Sequence, residues 1–360
     1  MIIDRKYIIN RIEEILKERD NKKNFKKKNN FLKNIYQNSP RTLKRLYMSI
    51  RSLNKTRSIL NKNYLFIEDD SIYKRWSLDF LIYCLKNNIY LDTDLFDKKD
   101  EGEILQFIDN KIRMSIFSLI EKNRLINDYK KLEKVYKNYL DNLSISREKI
   151  KYNKKEYFYN KSKIEETLFY HKLGLNFLSK KVLESIKEKT VIDCGAYYGD
   201  SCIILKDLKP KKIIAFEPDR NNFEELKKIV EKNNLPVECL NKGVGENNEN
   251  ISFSSGQGGG STIPKFGKDV IEVIKLDNLD KENIKFIKMD IEGFELEAIK
   301  GAEQIIRKNK PVMLICLYHT GKDFFEIPNL LRKWVPNYKF RFLNLNKVHP
   351  IGDRVLLGWV

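Results

Sequence analysis

One stretch of eleven residues, VIDCGAYYGDS from Val191 to Ser201, constrains this chain more tightly than any other. A short apolar run ends in an acid, then come two glycines separated by three residues, then a second acid and a serine. That order spells a strand, a tight turn and the start of a helix. Glycine takes positive φ at little cost and lets backbone come close to a ligand. Asp and Ser satisfy the first free N–H groups of a helix. The turn reads as a cradle for a small molecule, built from Asp193, Gly195, Ala196, Tyr198, Gly199, Asp200 and Ser201. Of the tyrosine pair, one is expected to cover the ligand while the other, Tyr197 or Tyr198, packs.

The chemistry of the turn narrows the ligand. A dinucleotide cradle needs G-x-G-x-x-G, so that a pyrophosphate can sit on the helix N-terminus. Here the turn is G-A-Y-Y-G, without the middle glycine, and Asp193 and Asp200 would repel a diphosphate. Acids suit a cation, and S-adenosylmethionine carries a sulfonium and an amino group but no phosphate. The next strand, in IIAFEPD, ends at Glu217, where a carboxylate can accept two hydrogen bonds from a ribose diol. Pro218 stops that strand and Asp219 caps the helix after it, so all three join the cofactor set.

The surrounding pattern fits an α/β fold. From Thr190 onward, short apolar runs alternate with amphipathic ones, which is the grammar of βαβ units and a mostly parallel sheet. Strands are expected at Val191–Asp193, Ile213–Phe216, Val237–Leu240, Phe286–Met289 and Val312–Leu317. Helices are expected at Asp200–Leu208, Asn221–Asn233 and Glu295–Arg307. The runs YKFRFLNL and RVLLGWV look like an antiparallel terminal pair. ISFSS and IEVIKL flank the glycine-rich segment Ser254–Thr262, a flexible connection or a gate and not a phosphate loop, since no G-K-[ST] follows.

The first half differs. Apolar residues recur at helical spacing at Ile8, Ile12, Ile15 and Leu16, at Leu43, Leu46, Tyr47 and Ile50, and along Ile104–Leu140. Gly102 and Pro40 are the only Gly and Pro before Gly174. An all-α N-terminal domain over residues 1–160 is therefore expected, with Ser146–Lys163 as a linker and Ile164–Glu188 as a helical lead-in to a domain over 161–360.

VIDCGAYYGDS, IIAFEPD and above all FIKMDIEGFELEAIKGA, Phe286 to Ala302, resemble the FkbM-type family of class I S-adenosylmethionine-dependent methyltransferases. The likeness covers about residues 164–360 and excludes the first half. It implies a seven-stranded Rossmann-like sheet and O-methylation of a hydroxyl on a sugar, glycan or small metabolite. Such a transfer is an in-line displacement that needs alignment and a base for the hydroxyl proton. Asp290 and Glu292, at the carboxyl edge of the fourth strand, are the first candidates for the catalytic group, and His319 at the end of the fifth is another. Many relatives carry a glutamate two residues before this histidine, where this chain has Leu317. Glu295 reads as a helix cap. Tyr170 and His171, in the lead-in, are candidates for the acceptor side, and His349 falls in a turn.

Charge and composition set further bounds. The net charge of +19 is concentrated in residues 1–60, which hold 17 Lys and Arg against 5 Asp and Glu. Such an arm suits an anionic surface or a glycan-synthesis partner. It also raises a nucleic-acid methyltransferase as an alternative. Amino-methylating enzymes of that kind usually carry [ND]-P-P-[YF] after the fourth strand, where this chain reads MDIEG. A third reading is an inactive cofactor-binding scaffold, against which the retained Asp193, Gly195, Gly199 and Glu217 argue. Five scattered cysteines without C-x-x-C, together with a charged N-terminus, point to the cytoplasm, peripheral at most to the inner membrane surface. No metal site is assigned, and a divalent ion on Asp290, Glu292 and His319 is left open.

Overall fold

A computed structural model describes residues 1–20, 64–66, 72–117, 119–121, 137, 141–159, 166–253, 269–279, 282–346 and 351–360. The helix expected around Leu43 to Ile50, the stripe from Leu132 to Tyr139, the glycine-rich segment 254–262 and His349 all lie outside the described residues.

The centre of the molecule is a seven-stranded sheet. Its strands are β1 (Thr190–Cys194), β2 (Lys212–Phe216), β3 (Val237–Leu240), β4 (Ile284–Met289), β5 (Val312–Cys316), β6 (Lys339–Asn344) and β7 (Arg354–Trp359). They lie in the order β3-β2-β1-β4-β5-β7-β6. The first five run parallel, and β7 lies antiparallel to both β5 and β6, as the sequence pattern predicts. Every side chain of β1 and β5 is buried, which is why both read as continuous apolar runs without alternation. The strand order reverses between β1 and β4, the place where open α/β sheets take their ligands.

ISFSS and IEVIKL contribute strands as expected: Glu249–Phe253 and Asp269–Lys275 form a separate three-stranded sheet with Gly243–Gly245. One expectation changes in detail. The helix expected over Glu295–Arg307 is broken into Glu295–Lys300 and Glu303–Asn309. The break follows from crowding and capping. A Cβ at Gly301 would sit 1.9 Å from the Gly245 carbonyl oxygen, and Asp277 accepts from Gln304 and Ile305 N–H to start the second piece.

The first half contributes more than helices. Ile2–Asp4 pairs with Tyr90–Asp92, and Lys149–Tyr152 forms a hairpin with Lys155–Phe158 inside the segment expected as a linker. Three long helices stand among the described residues here, Arg5–Asp20, α1 (Ile72–Lys86) and α2 (Glu101–Phe117). Phe80 of α1 meets Phe107 of α2 at a ring separation of 5.9 Å and Phe324 of the helix Gly321–Trp334 at 5.6 Å, and Phe107 meets Phe324 and Phe342 of β6 at 5.2 and 5.6 Å. Asp100, just before α2, grips Arg341 of β6 through two hydrogen bonds of 2.6 and 2.9 Å and accepts a third from Phe342 N–H. One buried apolar cluster runs from Ile3 and Ile8 through Phe107 to Leu357. A cut near residue 160 would therefore expose core.

Phe107 is fully buried, so Phe107→Ala should lower the unfolding free energy by about 3–5 kcal/mol. Urea denaturation followed by circular dichroism checks this. A single shifted transition is expected, because the helices and the sheet share one core.

Candidate active site

Strand register builds the site. Cys194 pairs with Phe216 on one side and with Met289 on the other. The residues that follow, Gly195, Glu217 and Asp290, therefore leave three adjacent strands side by side. The contact between two of them is close: a Cβ at Gly195, whose φ is +76°, would lie 1.9 Å from the Asp290 carbonyl oxygen. Only glycine can occupy position 195, and the turn and the acidic block share a wall there.

Beneath the turn lies a buried ion pair. Lys288 Nζ sits 3.0 Å from Asp193 Oδ1 and donates to the Gly195 carbonyl at 2.6 Å. Burial alone would strip the Lys288 proton, but the charges of Asp193 and Asp290 outweigh it and hold the ammonium well above its ordinary range. Ser201 and Cys202 at the start of the helix Asp200–Leu205 donate to Asp193 Oδ2. The structure thus places Asp193 and Ser201 under the cradle as its fastening. Ala196 is fully buried there, and Gly199 (φ +85°) starts the helix. Burial raises Asp200 to about 6 against the opposing pull of Lys288.

Glu217 faces the turn. Its Oε2 accepts from Tyr197 N–H at 2.9 Å and its Oε1 from Asp219 N–H at 2.9 Å. Burial pushes the carboxyl up to about 7 despite these bonds. Asn222 Nδ2 adds a long third bond to Oε1 at 3.4 Å, and since two oxygens carry about four acceptor positions, Oε2 keeps capacity for a ligand hydroxyl. Asp219 caps the next helix through Asn221 and Asn222 N–H, as expected, and Pro218 offers its carbonyl to Asn241. Tyr197 and Tyr198 lie ring against ring at 3.7 Å. Tyr170 and His171 meet edge to face at 4.7 Å.

Across the shared wall, Asp290, Glu292 and His319 come together. His319 Nε2 is 3.6 Å from Asp290 Oδ1 and 3.5 Å from Glu292 Oε2. Glu292 adopts φ +59°, a left-handed conformation costly for a residue with a long side chain and one that collects at functional sites. The sequence reading missed what holds this geometry. Glu295, fully buried, accepts from Ile291 N–H at 2.8 Å and Gly293 N–H at 2.9 Å, and its Oε1 lies 2.9 Å from His319 Nδ1. It is more than a cap: it fixes both the Glu292 turn and the imidazole. Its position at the first residue of the helix behind E-G-F was the available signal.

The electrostatics follow from three carboxylates around one imidazole. Burial raises Glu292 to about 8, helped by Asp290 and Glu295 and opposed by His319. Burial works against charge on His319, but Glu295, Glu292 and Asp290 outweigh it and lift the ring to about 9. The first half closes this side. Trp76 of α1 packs edge-on to His319 at 4.9 Å and to Tyr318 at 5.4 Å, and buried Lys111 of α2 donates to the Tyr318 carbonyl.

A glycine turn at the strand-order reversal, an acid at the tip of β2 and an acid–histidine cluster beyond β4 define a methyltransferase of the class I fold. Residues 193–342 match the family model of the methyltransferase FkbM domain. The chain is also similar to the hexuronic acid methyltransferase AglP of Haloferax volcanii, at 26% identity over 183 residues, 48% of this chain and 74% of that protein. Among solved structures it resembles the methyltransferase FkbM of Methylobacillus flagellatus KT, at 20% identity and a TM-score of 0.44. That match covers 80% of this chain, and the chain spans 58% of the length of the Methylobacillus protein. The tRNA (uracil-54, C5)-methyltransferase of Pyrococcus abyssi aligns at 14% identity with a TM-score of 0.35, over 61% of this chain and 44% of its own.

The ion pair under the turn is directly testable. Lys288→Met leaves a buried Asp193 carboxylate unpaired and should cost about 3–5 kcal/mol. The double variant Asp193→Asn/Lys288→Met should recover much of that loss. Thermal unfolding of the three variants against the parent measures it, and equal losses in the single and double variants would show that the pair is not the fastening.

Proposed function

We propose that the protein transfers the methyl group of S-adenosylmethionine to a hydroxyl of a sugar or glycan. The observation that carries this reading is the shared wall: Gly195 lies against Asp290, so a ligand in the turn abuts the acidic cluster. The residues fit that cofactor. The Lys288 ammonium is taken up by Asp193 and the Gly195 carbonyl, which leaves the turn suited to a ligand without phosphate. Glu217 would hold the ribose diol, and the Gly195–Ala196 backbone would lie along the ligand. Asp193, Ser201 and Asp219 would act from behind by fixing the turn, while Tyr198 and Asp200 would line it.

When bound, the cofactor supplies an electrophilic methyl group and leaves as S-adenosylhomocysteine. The acceptor oxygen attacks the methyl carbon, the carbon–sulfur bond breaks with its electron pair staying on sulfur, and the hydroxyl proton departs. Asp290, whose side chain is 34% exposed, is placed to accept the hydroxyl hydrogen bond, and Glu292 and His319 stand behind it. A sugar acceptor is supported by the named activity of the Haloferax relative, a hexuronic acid methyltransferase. Tyr170 and His171 are proposed for the acceptor side. The basic first 60 residues suit an anionic surface or a glycan-synthesis partner. Among the described residues no helix is long and apolar enough to cross a membrane.

Two measurements test the reading. Isothermal titration with S-adenosylmethionine should show binding that weakens as pH falls through about 7, where Glu217 gains a proton and loses acceptor capacity. The weakening should disappear in Glu217→Gln. Transfer of labelled methyl to uronic-acid-containing glycans should drop by about 10²–10⁴-fold in Asp290→Asn, with cofactor binding retained. A protein that never binds the cofactor would sink the proposal.

A further inference from the structure

We propose that Asp290, Glu292 and His319 bind a divalent transition-metal ion that grips the acceptor through two oxygens. The inference deepens the methyl-transfer reading and rests on it for the role of the ion, but not for its binding. Its starting point is an oddity of the imidazole. His319 is fully buried, yet its Nε2 has no hydrogen-bond partner in the protein, and neither does the buried Glu292 Oε2 that it faces.

The distance of each carboxylate from the imidazole suits a shared ion better than a direct bond. A protonated imidazole bonded to a carboxylate closes to about 2.7–2.9 Å. Here His319 Nε2 stands 3.5 Å from Glu292 Oε2 and 3.6 Å from Asp290 Oδ1. Two ligand atoms each about 2.1 Å from one ion, at a tetrahedral angle, are separated by about 3.4 Å. The other ring nitrogen supports the same conclusion. His319 Nδ1 is 2.9 Å from Glu295 Oε1, and metal-binding histidines almost always donate their second N–H to a carboxylate or carbonyl. An ion that displaces the second ring proton would then meet the Nε2 lone pair.

Glu295 lies close enough to count among the ligands, because one atom each of Asp290, Glu295 and His319 falls within 4.8 Å. We assign it instead to orientation, since its oxygens already accept from Ile291 and Gly293 N–H. Tyr318 Oη donates to Asp290 Oδ1 at 3.3 Å and orients that carboxylate in the same way. Trp76 packs edge-on against the ring and keeps water off this side.

The donor set selects the ion. One imidazole and two carboxylates suit Mn²⁺ or Zn²⁺, whereas Ca²⁺ and Mg²⁺ prefer oxygen alone. Exposure gives the ion an open side: the Asp290 side chain is 34% exposed against 18% for Glu292 and none for His319. Two acceptor oxygens can bind there, either a vicinal diol or a hydroxyl beside a uronate carboxylate. Coordination lowers the hydroxyl pKa, so the proton can leave to water before the oxygen attacks. The acceptor class is thus a chelating sugar and not a simple alcohol.

The test uses the full chain after chelator treatment, titrated with Mn²⁺ alone and read by the electron paramagnetic resonance signal of free Mn²⁺. One saturable site per chain is expected. Asp290→Asn and Glu292→Gln should each weaken it by about tenfold or more. Those variants sit at the more exposed positions, so the test does not depend on a His319 variant that fails to fold. Absence of saturable binding, or affinity unchanged in both variants, overturns the proposal. Binding of S-adenosylmethionine by the chelated protein is measured alongside. If that persists while Mn²⁺ binding fails, the metal site falls and methyl transfer stands; if only the cofactor fails to bind, the reverse holds.

Discussion

The salt bridge between Lys288 and Asp193 is the constraint on which the site depends. It joins the two central strands at the point where the order of the sheet reverses, and the same ammonium holds the Gly195 carbonyl. A buried pair of this kind is weak evidence for net stability, because desolvation offsets much of the attraction. Its value here is positional. It orients the turn so that Gly195 meets Asp290, and it occupies the buried ammonium beneath the turn that would otherwise attract a phosphate. The specificity of the cradle and the geometry of the sheet thus come from one contact.

The acidic cluster follows a similar economy. Within the run from Lys288 to Glu295, four charged side chains have separate tasks. Lys288 fastens the floor, Asp290 keeps the most exposed carboxylate of the cluster, Glu292 is turned toward the histidine by a left-handed backbone, and Glu295 holds the turn and the imidazole together. Asp323 extends the arrangement, since it accepts from Leu296 N–H and from the Thr320 hydroxyl and ties the helix after β4 to the one after β5. His319 therefore sits at a fixed distance from Glu292 without touching it.

Much of this was legible in the sequence, for physical reasons. The parallel strands are buried on both faces, so their apolar runs stood out, and Gly195 and Glu217 mark strand ends where only a few residue types work. Less visible were effects that depend on what lies opposite in space. Nothing in the spacing of Glu295 tells a helix cap from a partner to His319. Asp193 looked like a ligand-facing acid because the sequence does not show that Lys288, on another strand, points at it. The hairpin at Lys149–Phe158 was hidden by its polar composition, since only Ile150 and few neighbours turn inward. The helical spacing of the first half was clear, yet its attachment to the sheet through Phe80, Phe107 and Asp100 required the fold.

Trp76 carries a consequence for how such proteins diversify. It shields the histidine from a helix that precedes the matched domain, which begins at residue 193. The buried cluster thus draws one of its walls from outside the stretch that matches the family model. Substitutions at Asp290, Glu292 or Glu295 would alter charges that the whole cluster shares, whereas substitutions on the face of this helix turned away from Trp76 would leave them untouched. Exchange of the leading segment would change that wall and keep the turn and the acidic run intact.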